Sequence, residues 1–246
     1  MATIQCGTVT FANIQAVIFD KDGTLADVQD YLRHLGQKRA RLIDAQIPGV
    51  QDPLLMAFGF EGDRLNPYGL LAVGTRQENE IAAAAYVAET GRDWIAALSL
   101  VRSAFDEADK VFKRKADSTP LLEGVVPTLH QLTQAGVAIA ILSSDTTTNV
   151  QDFVERYELG GLIQVAQGAM DGCSKPDPAV LLHTSQQLGV VPASILVVGD
   201  SSADIAMAKA ANAAGSVGIT WGRRDVGTLA IADTLIARLA DIQVRA

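Results

Sequence analysis

The sequence predicts an α/β fold built on a parallel sheet, and three observations lead there. Apolar runs rich in Val, Ile and Leu recur along the chain, at residues 16–19, 137–142 and 195–198. Longer segments of helical spacing separate them. Each run ends in residues able to carry chemistry: Asp20, Ser143 and, after Gly199, Asp200. Open parallel sheets collect their functional groups at the C-terminal ends of strands in this way.

The first of these strands stops at Asp20-Lys21-Asp22-Gly23-Thr24, where Gly23 signals a turn. Residues 27–116 read as an inserted helical domain. A helix runs from Asp30 through Ile43, and Pro48, Gly49 and Pro53 interrupt the pattern after it. Asn66-Pro67-Tyr68-Gly69 is a turn cluster. Thr75 and Glu78 form a capping-box pattern, opening an alanine-rich helix that reaches Glu89 with Gly91 as its C-cap. The next helix starts at Trp94 and turns charged from Lys110 to Lys115, as a solvated face does. Strand and helix then alternate. A helix over 127–134 stops at Gly136, and another over 149–157 ends before Gly160-Gly161. A weaker apolar run spans 162–165. Asp177-Pro178 places an N-cap before a proline at the first helical position. A small-faced helix follows Asp204, and 217–219 is a short strand.

Composition narrows the function classes. A chain of 246 residues with 48% hydrophobic content can bury a sizeable core and is not disordered. No run approaches the roughly 20 apolar residues of a membrane span. The N-terminus lacks the basic region and apolar core of a secretory signal. Cys6 and Cys173 make no disulfide framework and fit a reducing compartment, so a cytoplasmic location is expected. A net charge of −8 disfavours nucleic acid or an anionic membrane as partner. His34, His130 and His183 are scattered without metal-ligand spacing. The glycines from Gly218 to Gly227 form a loose cluster and no dinucleotide fingerprint. No motif addresses oligomeric state.

Four motifs in order carry a resemblance. Asp20-Lys21-Asp22-Gly23-Thr24 is similar to Asp-x-Asp-Gly-Thr, the first motif of the haloacid dehalogenase-like superfamily. Ser143 ends a strand, as the second motif requires. Ser174-Lys175-Pro176-Asp177-Pro178 resembles the third. Gly199-Asp200-Ser201-Ser202-Ala203-Asp204 matches the fourth, Gly-Asp-x-x-x-Asp. The resemblance implies a Rossmann-like core of residues 1–26 and 117–246, with the helical cap of 27–116 inserted after the first strand. It also implies that residues 232–236 are an edge strand before a final helix.

The roles implied by the resemblance are those of phosphoryl transfer. Asp20 would attack phosphorus and form an aspartyl-phosphate. Asp22 would protonate the leaving alcohol and later take a proton from water. Mg²⁺ would be held by Asp20, the Asp22 backbone carbonyl and Asp200. Ser143 and Lys175 would contact the phosphoryl oxygens, as would backbone N–H groups around Gly23 and Ser144. Asp204 would support the metal through water or orient Lys175. Lys21 stands where relatives carry an apolar residue and is expected to point away from the site. Asp145 is expected to face solvent or cap the next helix.

The acid at Asp22 selects an alkoxide leaving group. The expected function is therefore Mg²⁺-dependent hydrolysis of a small phosphorylated metabolite, similar to the phosphoglycolate phosphatase-like branch. A sugar phosphomutase of the β-phosphoglucomutase type would use the same covalent intermediate. A non-catalytic phospholigand-binding protein on the same fold would not need Asp20, Asp22 and Asp200 together. Arg76, in the first turn of a cap helix, is the candidate reader of a substrate carboxylate. The competing reading makes it a solvated charge paired with Glu78 or Glu80.

Overall fold

The computed structural model describes residues 1–112, 114–170, 172–223 and 226–245. In chain order its elements are β1 (Ala2–Cys6), β2 (Val9–Ile14), β3 (Ala16–Phe19), α1 (Gln29–Asp44), α2 (Gln51–Phe58), β4 (Phe60–Glu61), β5 (Arg64–Leu65), α3 (Leu70–Val73), α4 (Arg76–Glu89) and α5 (Trp94–Asp109). There follow α6 (Val125–Gln134), β6 (Ala138–Leu142), α7 (Thr147–Arg156), β7 (Val165–Gln167), α8 (Pro178–Leu188), β8 (Ile195–Gly199), α9 (Ser202–Ala210), β9 (Gly215–Ile219), β10 (Thr234–Ile236) and β11 (Ile242–Arg245). The chain divides into two compact units, Met1–Asp27 with Pro120–Ala246, and Val28–Thr119. Among the described residues no helix is long and apolar enough to cross a membrane.

The first unit holds a six-stranded sheet in the order β10-β9-β8-β3-β6-β7. Every neighbouring pair is parallel. All residues of β3 and β8 are buried, which is why these strands read as unbroken apolar runs and do not alternate. One core layer joins Ile18, Val197 and Leu142 of the sheet to Leu181 and Met207 of the helices. Register sets the site. Phe19 lies opposite Val198 on one side and Ile141 on the other. Asp20, Asp200 and Ser143, each one or two residues further on, therefore leave the sheet along one edge.

Several boundaries differ from the sequence reading. β7 begins at Val165, because Leu159–Gly161 coil into a 3₁₀ turn whose Leu159 carbonyl accepts the Ile163 N–H at 3.0 Å. α7 starts two residues before Asn149, where the Thr146 hydroxyl accepts the Asn149 N–H at 3.2 Å. α9 starts before Asp204, capped by Ser201. No final helix follows β10 among the described residues. Residues Leu239–Asp241 make a single 3₁₀ turn, and β11 then pairs antiparallel with β1. The hairpin β1–β2 completes a second, three-stranded sheet in the order β11-β1-β2. Its strands are short and bury Ile4, Cys6, Phe11, Ile14 and Ile242.

The second unit is helical. α1 buries Tyr31, Leu32, Leu35, Arg39, Ala40 and Ile43, and α5 buries Ala97, Val101, Ala104, Phe105 and Ala108. These spacings of three and four residues place each set on one face. Gly36 of α1 permits a close approach, since a side chain there would overlap Leu71 and Phe60. Pro53 does not end a helix. It occupies the first turn of α2, where its missing N–H costs nothing. The capping box of α4 forms as the sequence suggests, with the Thr75 N–H donating to Glu78 Oε2 at 2.6 Å. Asp93 caps α5 by accepting the Ala96 N–H at 3.0 Å. Lys113, within the charged stretch after α5, lies outside the described residues.

Candidate active site

Four strand ends of the first unit build the site. Asp20 follows β3, Ser143 follows β6, Lys175 sits in the loop after β7, and Asp200 and Asp204 follow β8. The Lys175 ammonium is buried and donates to Asp20 Oδ1 and Asp204 Oδ1, each at 2.6 Å. Burial pushes this lysine toward neutrality, but Asp20 and Asp204 outweigh that effect and hold it protonated. Asp204 is committed on both sides. Its Oδ2 accepts the Ser201 hydroxyl at 2.6 Å and the Ser201 N–H at 3.2 Å. That double engagement makes Asp204 the group that orients Lys175.

Asp20 has one oxygen satisfied and one not. Its Oδ2 is buried and has no hydrogen-bond partner. Such an orphaned anionic oxygen is costly unless something positive arrives. Burial raises the Asp20 carboxyl to about 6, against the opposing pull of Lys175. Asp200 is raised well above the ordinary carboxylate range, first by burial and then by the charges of Asp20 and Asp204. Among the described residues, Asp20, Asp200 and Asp204 offer carboxylate oxygens within 4.8 Å of one another. Three acids held this close, one of them with an orphaned oxygen, fit a hard divalent cation.

Gly23 enters the site through its missing side chain. Its φ is +84°, and a Cβ there would collide with the Asp200 carboxylate. The Gly23 N–H already donates to the Ala26 carbonyl at 2.9 Å, so the expected contact to phosphate is not available from that group without breaking this turn. Ser143 is buried at the end of β6, and its Oγ accepts the Asp145 N–H at 3.1 Å. That leaves the hydroxyl hydrogen to be donated. Ser144 follows, half-buried.

Two sequence expectations fail here. Lys21 does not point away: its side chain is 1% exposed, and its ammonium pairs with Asp22 Oδ1 and, at 3.3 Å, with Asp145 Oδ2. Asp145 does not face solvent. Besides Lys21, it accepts the Thr146 N–H at 2.8 Å and the Asn149 amide at 2.7 Å, while the helix cap is Thr146. A buried ammonium requires anionic partners, and two loops each bring one to it.

Trp221 and Arg223, which the sequence reading passed over, also reach the site. The Trp221 indole N–H donates to the Gly23 carbonyl at 2.8 Å, and Arg223 lies 3.6 Å from Asp200 Oδ2. Trp221 holds a φ of +51°, rare for so bulky a residue. Nothing in a Trp-Gly-Arg sequence after a strand announces these contacts. Arg224, in the same glycine cluster, lies outside the described residues.

Arg76 belongs to the second unit. Its guanidinium is shared among Glu80 at 2.7 Å, Asp109 at 2.6 Å and Asp106 at 2.5 Å. Arg102 reaches the same Glu80 at 3.3 Å, and Arg39 pairs with Asp109 at 3.0 Å. Arg76 is thus one member of a charge network joining α4 and α5. A substrate carboxylate would have to compete with three acids for it.

Comparison with known proteins bears on this geometry. A family model described as haloacid dehalogenase-like hydrolase matches residues 14–212. The phosphoglycolate phosphatase of Escherichia coli (strain K12) is 29% identical over 214 residues, covering 86% of this chain and 83% of its own. Among solved structures, a predicted phosphoglycolate phosphatase from Haemophilus somnus 129pt superposes with a TM-score of 0.67 at 20% identity, covering 94% of this chain and 96% of that one. A HAD family hydrolase from Deinococcus radiodurans R1, crystallised with phosphate and sodium, gives 0.60 at 23% identity, covering 94% and 93%. Both structural likenesses concern the fold. The three-stranded sheet lies almost wholly outside the matched residues.

Proposed function

Since the chain belongs to the haloacid dehalogenase-like hydrolases, we propose that it is a Mg²⁺-dependent phosphatase of a small phosphomonoester, working through an aspartyl-phosphate. The enzyme is a phosphoric monoester hydrolase. The observation that carries the reading is the Asp20 carboxylate, pinned through one oxygen by Lys175 and left with a buried, unpartnered second oxygen. A metal-assisted nucleophile needs a carboxylate of fixed orientation that still has an oxygen to offer a cation.

The metal would be held by Asp20, Asp200 and the backbone carbonyl of Asp22. When bound, it supplies the positive charge that lets a carboxylate approach a phosphate dianion. The Asp20 carboxylate attacks phosphorus as the bond to the leaving oxygen breaks. Asp22 gives its proton to that oxygen, so the alcohol departs neutral. Water then attacks the aspartyl-phosphate, Asp22 takes its proton, and inorganic phosphate is released with Asp20 restored. Lys175 balances the charge of Asp20 throughout, while Asp204 keeps the lysine in place. Ser143 donates its hydroxyl to a phosphoryl oxygen.

The substrate class is supported by the relatives named phosphoglycolate phosphatase and by the acid at Asp22. A panel of phosphomonoesters, phosphoglycolate among them, tests the reading by phosphate release with and without Mg²⁺. Metal-dependent release that is lost in a folded Asp20→Asn variant is the expected result. Accumulation of an isomerised sugar phosphate without inorganic phosphate would replace hydrolysis with a mutase reaction. Near-normal turnover by Asp20→Asn would eliminate the covalent mechanism.

A further inference from the structure

Lys21 is the charged residue of the first motif that the mechanism above does not use. It is buried, charged and wedged between two loops. Its ammonium pairs with Asp22 Oδ1 in the turn after β3 and with Asp145 Oδ2, at 3.3 Å, in the loop after β6. The ring of Phe153, on α7, lies beneath it with its centroid 5.6 Å from Nζ. Asp145 is in turn the residue whose N–H, at 3.1 Å, is accepted by Ser143 Oγ. A backbone bond also holds this loop, the Ala169 N–H donating to the Asp145 carbonyl at 2.7 Å. One ammonium therefore connects the acid Asp22 to the loop that sets the Ser143 hydroxyl.

We propose that Lys21 is a positioning residue, a buried staple that holds the Asp22 carboxyl and the Ser143 loop in one frame against the departing oxygen of the substrate. The inference rests on the reading of Asp22 as proton donor. An apolar residue at position 21 would remove the donor that Asp22 and Asp145 share, and with it the link between the acid and the Ser143 loop.

Leaving-group dependence separates positioning of the acid from general damage. A p-nitrophenolate departs without a proton, whereas a simple alkoxide needs one. Three folded variants are compared with the parent on p-nitrophenyl phosphate and on an alkyl phosphomonoester: Lys21→Met, Asp145→Asn and Asp22→Asn. For Lys21→Met the kcat/KM on the alkyl ester, which reports the step that expels the leaving group and not the later attack of water, should fall by about 10- to 100-fold, a part of the full contribution of a general acid. Its kcat/KM on the nitrophenyl ester should change by no more than about 3-fold. Asp145→Asn should show the same selectivity with a smaller loss, and it decides the matter if Lys21→Met does not fold. Equal losses on both esters in Lys21→Met, or in Asp145→Asn should that variant stand alone, beside a selective loss in Asp22→Asn, would overturn the staple and leave the acid in place. No selectivity in Asp22→Asn would overturn the proton-donor reading and the staple together.

Discussion

Replacing Asp20 with Asn should make the metal-free protein more stable at about pH 8, although it removes the proposed nucleophile. Burial holds the Asp20 carboxyl at about 6, above its ordinary value of 3.8. A carboxyl whose folded value exceeds its unfolded one binds its proton more tightly in the folded state. Its ionised form therefore opposes folding in full above about 6, and this penalty fades as pH falls through that value and disappears below 3.8. The gap between the two values corresponds to about 3 kcal/mol at high pH and roughly half of that near pH 5. Asn has nearly the shape of the protonated carboxyl and carries no charge, so it escapes the penalty. Lys175 keeps Asp204 as a partner in the variant. Urea unfolding in chelator should show the variant's midpoint above that of the parent at about pH 8, with the gap shrinking toward pH 5. Saturating Mg²⁺ should narrow the gap at high pH, because an ion that binds the native parent more tightly stabilises it by mass action. A variant less stable than the parent at high pH, or a gap independent of pH, would refute the argument.

Two further outcomes follow from the geometry. Gly23→Ala places a methyl group where the Asp200 carboxylate lies and forces an unfavourable φ, so the Mg²⁺ concentration for half-maximal activity should rise by about 10-fold or more, and an unchanged metal titration would contradict the packing. Ser201→Ala removes the cap of α9 and one anchor of Asp204; it should cost about 1 kcal/mol of stability, and an unchanged unfolding midpoint would show that the cap contributes nothing.

The parts of the fold legible in the sequence were those with a strong local signal. β3, β6 and β8 are buried on both faces and read as apolar runs. The capping box at Thr75 and the cap at Asp177 are written in adjacent residues. What escaped is long-range. β1 and β11 are strands because they pair with each other across almost the whole chain, and four or five alternating residues carry too little pattern to say so alone. The same holds at the site. Asp20, Lys175 and Asp200 stand in motifs, but the contact of Trp221 with Gly23 spans 198 residues and depends on a loop conformation without a sequence signature. Lys21 was misjudged because strand alternation was extended past Phe19, where the strand has already ended. In the turn the Lys21 carbonyl accepts the Leu25 and Ala26 N–H groups, each at 2.9 Å, and the side chain swings toward Asp145.

The pairing of β1 with β11 also orders events in time. Thr3 meets Arg245 and Cys6 meets Ile242. During synthesis the first strand emerges long before its partner exists. Until then Ile4 and Cys6 have only β2 on one side, and a row of amide groups stays open on the other. The parallel sheet is complete once β10 has been made, so the first unit can settle around an unfinished seam. Closure waits for β11, and a pairing at such sequence separation is entropically slow. A chain stalled before β11 would present that open edge to its neighbours, so the pairing of β11 is what removes this hazard.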